Sequence, residues 1–153
     1  MGKNHENEDS SASNDIQQRQ SFMMNTEANR LASFEDWPFD EDCNCVPSKM
    51  AAAGFYHCPT AQEPDLVRCF MCFKELDGWE PTDDPLQEHK SHAPKCAFVT
   101  KKKDEKDMTM AEFFKLESVR QHNRLMLHVE SRIKEFMYEA QKTREQIEEL
   151  KKQ

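Results

Sequence analysis

The sequence lacks an apolar run long enough to span a bilayer, and no charged-then-apolar leader stands at its start. We therefore expect a soluble, intracellular protein without membrane contact. Only 37% of its 153 residues are hydrophobic and 33% are charged, so a single core filling the whole length is not expected. Basic residues are scarce in the first hundred positions, with 8 Lys and Arg against 18 Asp and Glu. That net charge of −10 argues against nucleic-acid readout and favours cationic partners, such as a basic peptide or a free amino terminus.

Proline, glycine and cysteine are absent from residue 108 onward, whereas all seven Pro, both Trp and all six Cys fall between about 26 and 100. This contrast predicts four parts along the chain. They are a disordered, acidic and polar tail over 1–21, a compact zinc domain over 22–100, a charged connector over 101–108 and a long amphipathic helix over 109–153. The predicted fold class is α+β, with a short three-stranded antiparallel sheet, short helices and one long C-terminal helix.

Local signals place the short elements of the middle part. Pro47 suits a first helical position, Gly54 suits the residue after a helix, and Asp84 followed by Pro85 opens another helix. Helices are predicted over 26–34 and 47–53 and from 85 onward, with strands over 55–58, 67–72 and 74–79. In the first helix, the expected buried face carries Ala28, Leu31 and Phe34.

Four residues of the middle part have the spacing of a metal site. Cys69 and Cys72 form a Cys-x-x-Cys pair, His89 follows after sixteen residues and Cys96 after six more. Three thiolates and one imidazole are a closed tetrahedral set for Zn²⁺, which predicts one structural zinc ion. A redox pair of thioredoxin type is the alternative, but no strand–helix–strand pattern surrounds the two cysteines. The remaining thiols, Cys43, Cys45 and Cys58, are expected to be reduced and at least partly buried.

The last segment repeats apolar residues at alternating steps of three and four, interrupted only at Thr143. This heptad spacing predicts a seam between helices. A solvated single helix would explain the charges but not the regular apolar positions. We expect the helix to begin at Thr109, because Glu112 three residues later can complete a capping box. The predicted seam residues are Met126, Val129, Ile133, Phe136, Ala140, Ile147 and Leu150.

In order and spacing, these motifs resemble the baculovirus inhibitor-of-apoptosis repeat (BIR) family. The matching residues are Gly54-Phe-Tyr-His-Cys58, Cys69-Phe-Met-Cys72, Gly78-Trp79, Asp84-Pro85, His89 and Cys96. The resemblance extends over roughly residues 22 to 150 and is strongest for members with one repeat followed by a long helix.

The resemblance implies a scaffold with no catalytic residues. Such members join borealin and the inner centromere protein in a three-helix bundle and thereby target aurora kinase B in the chromosomal passenger complex. Their zinc domain reads a histone H-three tail phosphorylated on its third-residue threonine. This implies the cytoplasm and nucleus and, in mitosis, the centromere, spindle midzone and midbody. The family also suppresses apoptosis by binding proteins that expose an amino-terminal alanine.

The resemblance also assigns residues to this peptide site. Asp77 and Asp83 would hold the α-amino group, and Leu76 and Trp79 would wall the alanine pocket. The acidic rim would include Glu63 and Asp65, and the phosphate donors would be Lys74 and His92. This division is coherent, because carboxylates neutralise an amine while Lys and His give charge-assisted bonds to phosphate.

Homodimerisation in the family uses the zone before the repeat and the start of the long helix, where this chain has Phe22, Met110 and Phe113. We expect a dimer of the isolated protein. Val46 stands where members of the family often have Thr or Ser before Pro47, so phosphorylation by a proline-directed kinase is not expected here.

Other functions have weaker support. A ubiquitin ligase would need a second Cys/His set, and none follows Cys96. A thiol oxidoreductase would need Cys69 and Cys72 free of metal. A direct caspase inhibitor would need an inhibitory linker beside the repeat, so we expect any such role to be indirect.

Overall fold

The computed structural model describes residues 22–40, 42–101 and 107–151. The predicted tail over 1–21 and most of the connector lie outside these ranges. No helix in the described ranges has the length and apolar character needed to cross a membrane. In chain order the elements are α1 (Glu27–Ala32), α2 (Pro47–Ala52), β1 (Phe55–His57), β2 (Val67–Cys69), β3 (Glu75–Leu76), α3 (Pro85–His92) and α4 (Met110–Leu150).

The three strands form one antiparallel sheet in the order β1-β2-β3, which confirms the predicted fold class. Phe55 lies opposite Cys69, and Val67 lies opposite Leu76. β1 and β3 are shorter than predicted, with three and two residues. β2 also ends earlier than predicted, because the chain turns directly after Cys69. Phe73 closes this turn with a left-handed φ of 60°, and its N–H donates to the Cys69 carbonyl.

Side-chain caps fix the starts of three helices. The Asp84 carboxylate accepts from the Gln87 N–H at 2.9 Å, and Thr109 and Glu112 form the expected capping box at α4. Thr26 caps α1 in the same manner. Val46, at the N-cap position of α2, makes no capping hydrogen bond, because its side chain has no acceptor atom.

The predicted inner face of the first helix was right for Phe34, which is buried, but wrong for Ala28 and Leu31, which are exposed. Arg30 is completely buried instead. The Arg30 guanidinium donates to the carbonyls of Ala51 and Met24 at 2.9 and 3.1 Å, and it lies 4.4 Å from the centre of the Phe70 ring. Backbone acceptors and aromatic faces therefore stabilise a cation inside the core.

Close packing at Gly54 joins α2 to the sheet. Gly54 has a φ of +92°, and a Cβ atom there would lie 2.7 Å from two carbons of the Phe98 ring. Its carbonyl accepts from the Phe70 N–H at 3.1 Å. Glycine is thus required here both for the backbone conformation and for the space it leaves.

Helix α4 contains 41 residues and extends about 60 Å. Its first third contacts the domain: Leu116 packs against the core, and the Asn123 side chain donates to the Met71 carbonyl at 3.0 Å. At 100° per residue, Val129 and Ile133 lie about 80–140° around the helix from Leu116 and Asn123. The predicted seam therefore lies on a different side of the helix from these two contacts.

Candidate metal centre and binding surfaces

The four predicted metal ligands come together in the structure. The ligand atoms of Cys69, Cys72, His89 and Cys96 all lie within 4.8 Å of one another. The Cys69 and Cys96 sulfurs are 3.9 Å apart, and the Cys72 sulfur is 3.6 Å from His89 Nε2. A tetrahedral Zn²⁺ with ordinary bond lengths requires about 3.8 Å between sulfurs and about 3.5 Å between sulfur and nitrogen. These residues could therefore hold a metal ion, and their spacing fits zinc.

Backbone groups around the cluster orient the ligands. His89 Nδ1 lies 2.8 Å from the Ala53 carbonyl, an arrangement that leaves Nε2 for a metal. The N–H groups of Met71 and Cys72 donate to the Cys69 sulfur at 3.3 and 3.5 Å. The role of Ala53 in orienting His89 could not be predicted from the sequence, because it depends only on the backbone carbonyl, which every residue type has.

The pKa values of Cys69, His89 and Cys96 are strongly perturbed. Bonds with Cys69 and Cys72 lower the pKa of Cys96, while burial raises the pKa of Cys69. Burial would lower the pKa of His89, but bonds with the Cys72 and Cys96 sulfurs raise it to about 9. The cluster thus favours a thiolate beside an imidazolium, and a divalent cation would replace the remaining protons.

The other cysteines are free and lie apart from this cluster. Cys45 is completely buried, whereas Cys43 and Cys58 are half-buried. Burial raises the pKa of Cys45 and raises that of Cys58 to about 11, so both remain thiols near neutral pH.

Two of the predicted amine-binding and rim carboxylates already bind the backbone. Asp65 accepts from the Trp79 N–H and Asp83 from the Glu80 N–H, each at 2.8 Å. These bonds fix the chain between β3 and α3. Each carboxylate keeps a second oxygen for a ligand.

The remaining peptide-site residues differ in exposure. Trp79 is only 7% exposed and packs against Phe55, and its indole N–H has no hydrogen-bond partner among the described residues. Leu76 is half-buried against the core. Trp79 can therefore present at most an edge to a ligand. Glu63, Lys74 and Asp77 are exposed.

His92 lies on the exposed side of α3, one turn beyond the ligand His89. Its Nε2 is 3.5 Å from a carboxylate oxygen of Glu88. The metal cluster does not include His92, as expected. The contact between His92 and Glu88 was not predicted, although their i,i+4 spacing on a helix is the sequence pattern that indicates such a pair.

The predicted seam residues are largely exposed. The exposed fractions are 56% for Ile133 and 72% for Phe136, and Ala140 is half-buried. Met126 also lines a cavity of about 430 Å³ between α4 and the loop after α3, together with Val119 and Pro94. The structure therefore places the N-terminal end of the seam, at Met126, beside the metal domain.

The predicted dimer residues lie near the start of α4. Phe22 is 50% exposed and Met110 is 67% exposed. Phe113 is half-buried and borders a small cavity with Met108 and Leu116. The nearby Phe114 is 61% exposed.

Comparisons with known proteins agree with this architecture. Residues 30–100 match the BIR (Inhibitor of Apoptosis domain) family. The chain is 52% identical over 121 residues to the mouse baculoviral IAP repeat-containing protein 5, covering 79% of this chain and 86% of that protein. The rat protein of the same name is 47% identical, covering 84% of this chain and 91% of that protein.

A frog relative and a solved structure are also similar. Baculoviral IAP repeat-containing protein 5.2-A of Xenopus laevis is 46% identical, covering 80% of this chain and 78% of that protein. A crystal structure of DIAP1 BIR1 bound to a Grim peptide is 33% identical, with a TM-score of 0.43, covering 49% of this chain and 71% of that chain. From its identity to the mouse, rat and frog proteins, this chain belongs to the inhibitor-of-apoptosis family, within the baculoviral IAP repeat-containing protein 5 (survivin) group.

Proposed function

We propose that this protein is a non-catalytic adaptor of the chromosomal passenger complex. Its zinc domain reads the phosphorylated histone H-three tail, and α4 bundles with borealin and the inner centromere protein to target aurora kinase B. The observation that carries this proposal is the uncovered apolar stripe of α4, since Phe136 is 72% exposed on the side away from the domain. This activity places the protein in the cytoplasm and nucleus and at mitotic centromeres, the spindle midzone and the midbody.

One structural Zn²⁺ belongs to this proposal. Three thiolates and one imidazole leave no open coordination position for substrate or water, so the ion stabilises the fold. Zinc ties the turn after β2 to α3 and to Cys96, the three places that supply the ligands. Elemental analysis of zinc-loaded protein should give one zinc ion per chain. The His89→Ala variant should contain no bound zinc.

The acidic surface between β3 and α3 supports peptide reading. Asp77 is exposed and Asp83 is half-buried, with one oxygen of Asp83 still open to a ligand ammonium. Lys74 and His92 are exposed and can donate to a phosphate.

Calorimetry with the zinc-loaded full chain tests the reader function. The probe is a peptide beginning Ala-Arg-Thr, with and without phosphate on Thr. We expect tighter binding of the phosphorylated form, and loss of binding after acetylation of the peptide amine. Asp83→Asn should weaken binding at least tenfold, as for loss of a buried charge contact. Glu35→Gln, an exposed carboxylate on the segment after α1, is the matched control.

Binding in the bundle is tested separately. Phe136→Glu should prevent co-purification with the borealin and inner centromere protein helices, while leaving peptide affinity unchanged. Equal recovery of the three-chain complex from wild type and Phe136→Glu would contradict the bundling role. No binding of either peptide would leave α4 as the main functional element.

Binding of apoptotic proteins with an exposed amino-terminal alanine, or of caspases, is the second candidate function. Membership of the inhibitor-of-apoptosis family favours it. Such ligands need the amine and alanine contacts but no phosphate, so Lys74→Ala would separate the two functions. Equal affinity for phosphorylated and unphosphorylated peptides would favour the apoptotic role.

We also propose that the isolated protein forms a homodimer. Phe22, which lies over Arg120 of α4, and Met110, at the first position of α4, are both exposed apolar residues. A dimer with a two-fold axis would cover the same patch on both copies. A monomer by light scattering at tens of micromolar protein would contradict this proposal.

A further inference from the structure

The side chain of Asn123 joins α4 to the turn that carries two of the metal ligands. Its Nδ2 donates to the Met71 carbonyl at 3.0 Å, across 52 residues of sequence. Met71 is 2% exposed and lies between Cys69 and Cys72. The contact from α4 therefore reaches the backbone of the Cys-x-x-Cys turn itself.

The peptide group between Met71 and Cys72 is bonded at both of its ends. Its oxygen accepts from Asn123, and its N–H donates to the Cys69 sulfur at 3.5 Å. Because a peptide group is planar, fixing its oxygen also fixes the direction of its N–H. Hydrogen bonds at the two ends of one amide polarise it and strengthen each other. Asn123 thus acts on the sulfur of a metal ligand that it does not touch.

Helix α4 also forms one wall of the cavity beside the metal cluster. Cys72 and Cys96 line this cavity from the domain side. The α4 residues along it are three or four positions apart, which places them on one face of the helix. These residues are Val119, Asn123, Met126, Leu127 and Glu130. The hydrogen bond of Asn123 to the domain therefore holds this face of α4 beside the two ligands.

Other contacts hold the start of α4 independently of Asn123. Leu116 packs against the core, and the Glu117 carboxylate accepts from the Asn25 side chain at 3.1 Å. Asn123 lies about two turns beyond Leu116. Loss of the Asn123 contact would therefore loosen α4 beside the cavity while the start of the helix stays on the domain.

We propose that Asn123 is a positioning residue of the metal centre. Through the Met71 carbonyl it directs the Cys72 N–H toward the Cys69 sulfur, and it holds α4 as the wall beside Cys72 and Cys96. Retention of the structural zinc ion, on whose presence under the proposed function this inference rests, then depends on α4 as well as on the zinc domain.

Transfer of zinc from the loaded full chain to excess EDTA tests the proposal. Asn123→Leu keeps the size of the side chain and suits an apolar cavity wall, but it removes the donor. We expect zinc release to accelerate roughly three- to tenfold, as for loss of one hydrogen bond. Asn123→Ala should change the rate in the same direction.

Gln141→Leu is the matched control. It also removes an amide donor from α4, but Gln141 is exposed and donates at 2.8 Å to Glu145 of the same helix. We expect this variant to release zinc at the wild-type rate.

Amide hydrogen exchange of the zinc-loaded variants separates positioning from general stability. Exchange should accelerate in the turn over 70–73 and in α4 over 119–127, while the core amides of β1 keep their wild-type rates. A side chain that only stabilises the fold as a whole would accelerate exchange in β1 to the same extent.

Three results would overturn the proposal. Unchanged zinc release in both Asn123 variants would mean that the contact does not act on the metal centre. Faster release with equal acceleration in β1 would mean that Asn123 acts through global stability. A wild-type chain that binds no zinc would remove the site itself, and this result differs from the other two because no variant is needed to see it.

Discussion

Replacing Gly54 by alanine should destabilise the zinc domain strongly. The φ of +92° disfavours any side chain, at a cost of about 1–2 kcal/mol. The added Cβ would also lie 2.7 Å from two carbons of the Phe98 ring, and overpacking of this kind costs about 1–3 kcal/mol. The sum is a loss of about 2–5 kcal/mol in the free energy of unfolding. For a domain of this size, a loss of 3 kcal/mol lowers Tm by roughly 10–20 °C.

Two further variants separate the backbone cost from the steric cost. Gly78 has a φ of +72° but no atom within 4 Å of an added Cβ, so Gly78→Ala carries the backbone cost alone. Phe98→Leu combined with Gly54→Ala should recover part of the steric cost. The double-mutant cycle should give a favourable coupling of about 1 kcal/mol or more.

Urea unfolding monitored by tryptophan fluorescence measures these values, with free zinc buffered at one concentration for all variants. Equal losses for Gly54→Ala and Gly78→Ala would refute the packing argument. A coupling near zero between positions 54 and 98 would refute it as well. In that case the ring of Phe98 moves aside at no cost.

Three other predictions follow from the fold. Arg30→Met should cost about 3 kcal/mol in urea unfolding, because the Ala51 and Met24 carbonyls lose their donor inside the core; a loss below 1 kcal/mol would contradict this. Val46→Ser should stabilise α2 by about 0.5–1 kcal/mol in thermal unfolding, because the hydroxyl can cap its first turn; a lower Tm would contradict it. Burial would raise the pKa of Glu117, but bonds from Arg120 and Gln121 lower it below its usual value. The stabilisation that the Glu117 carboxylate provides is therefore complete above the ordinary carboxyl pKa and is lost as pH falls through its lower pKa in the folded protein. Because Asn25 donates to this carboxylate, amide hydrogen exchange over 22–25 should be slower in wild type than in Glu117→Gln near neutral pH. This difference should disappear in acid.

The sequence predicted the parts of the fold that depend on local signals. The metal ligands lie at the end of β2, in the turn after it, in α3 and four residues beyond α3, and their spacing alone indicates a shared ion. The start of α4 at Thr109 follows from the capping box with Glu112. The heptad positions correctly predicted an apolar stripe that the domain does not cover.

The errors arose where distant groups decide the outcome. Arg30 is buried because the Ala51 carbonyl, 21 residues later, accepts from it, and periodicity contains no such information. β2 ends at Cys69 because the following turn brings the Met71 and Cys72 N–H groups to the Cys69 sulfur. The contact between Asn25 and Glu117 joins two polar residues with no shared pattern. Each case depends on tertiary packing.

The length of α4 sets the distance between the metal domain and the far end of the helix. The helix borders the cavity beside the domain as far as Glu130 and continues to Leu150, which is about 30 Å further at 1.5 Å per residue. Its exposed apolar stripe begins beside the metal domain and continues to the far end of the helix, so binding there needs no rearrangement near the metal ligands. Under the proposed function, the chain would act as a spacer of fixed length, which keeps a tail bound at one end and a helical assembly bound at the other end at a set distance.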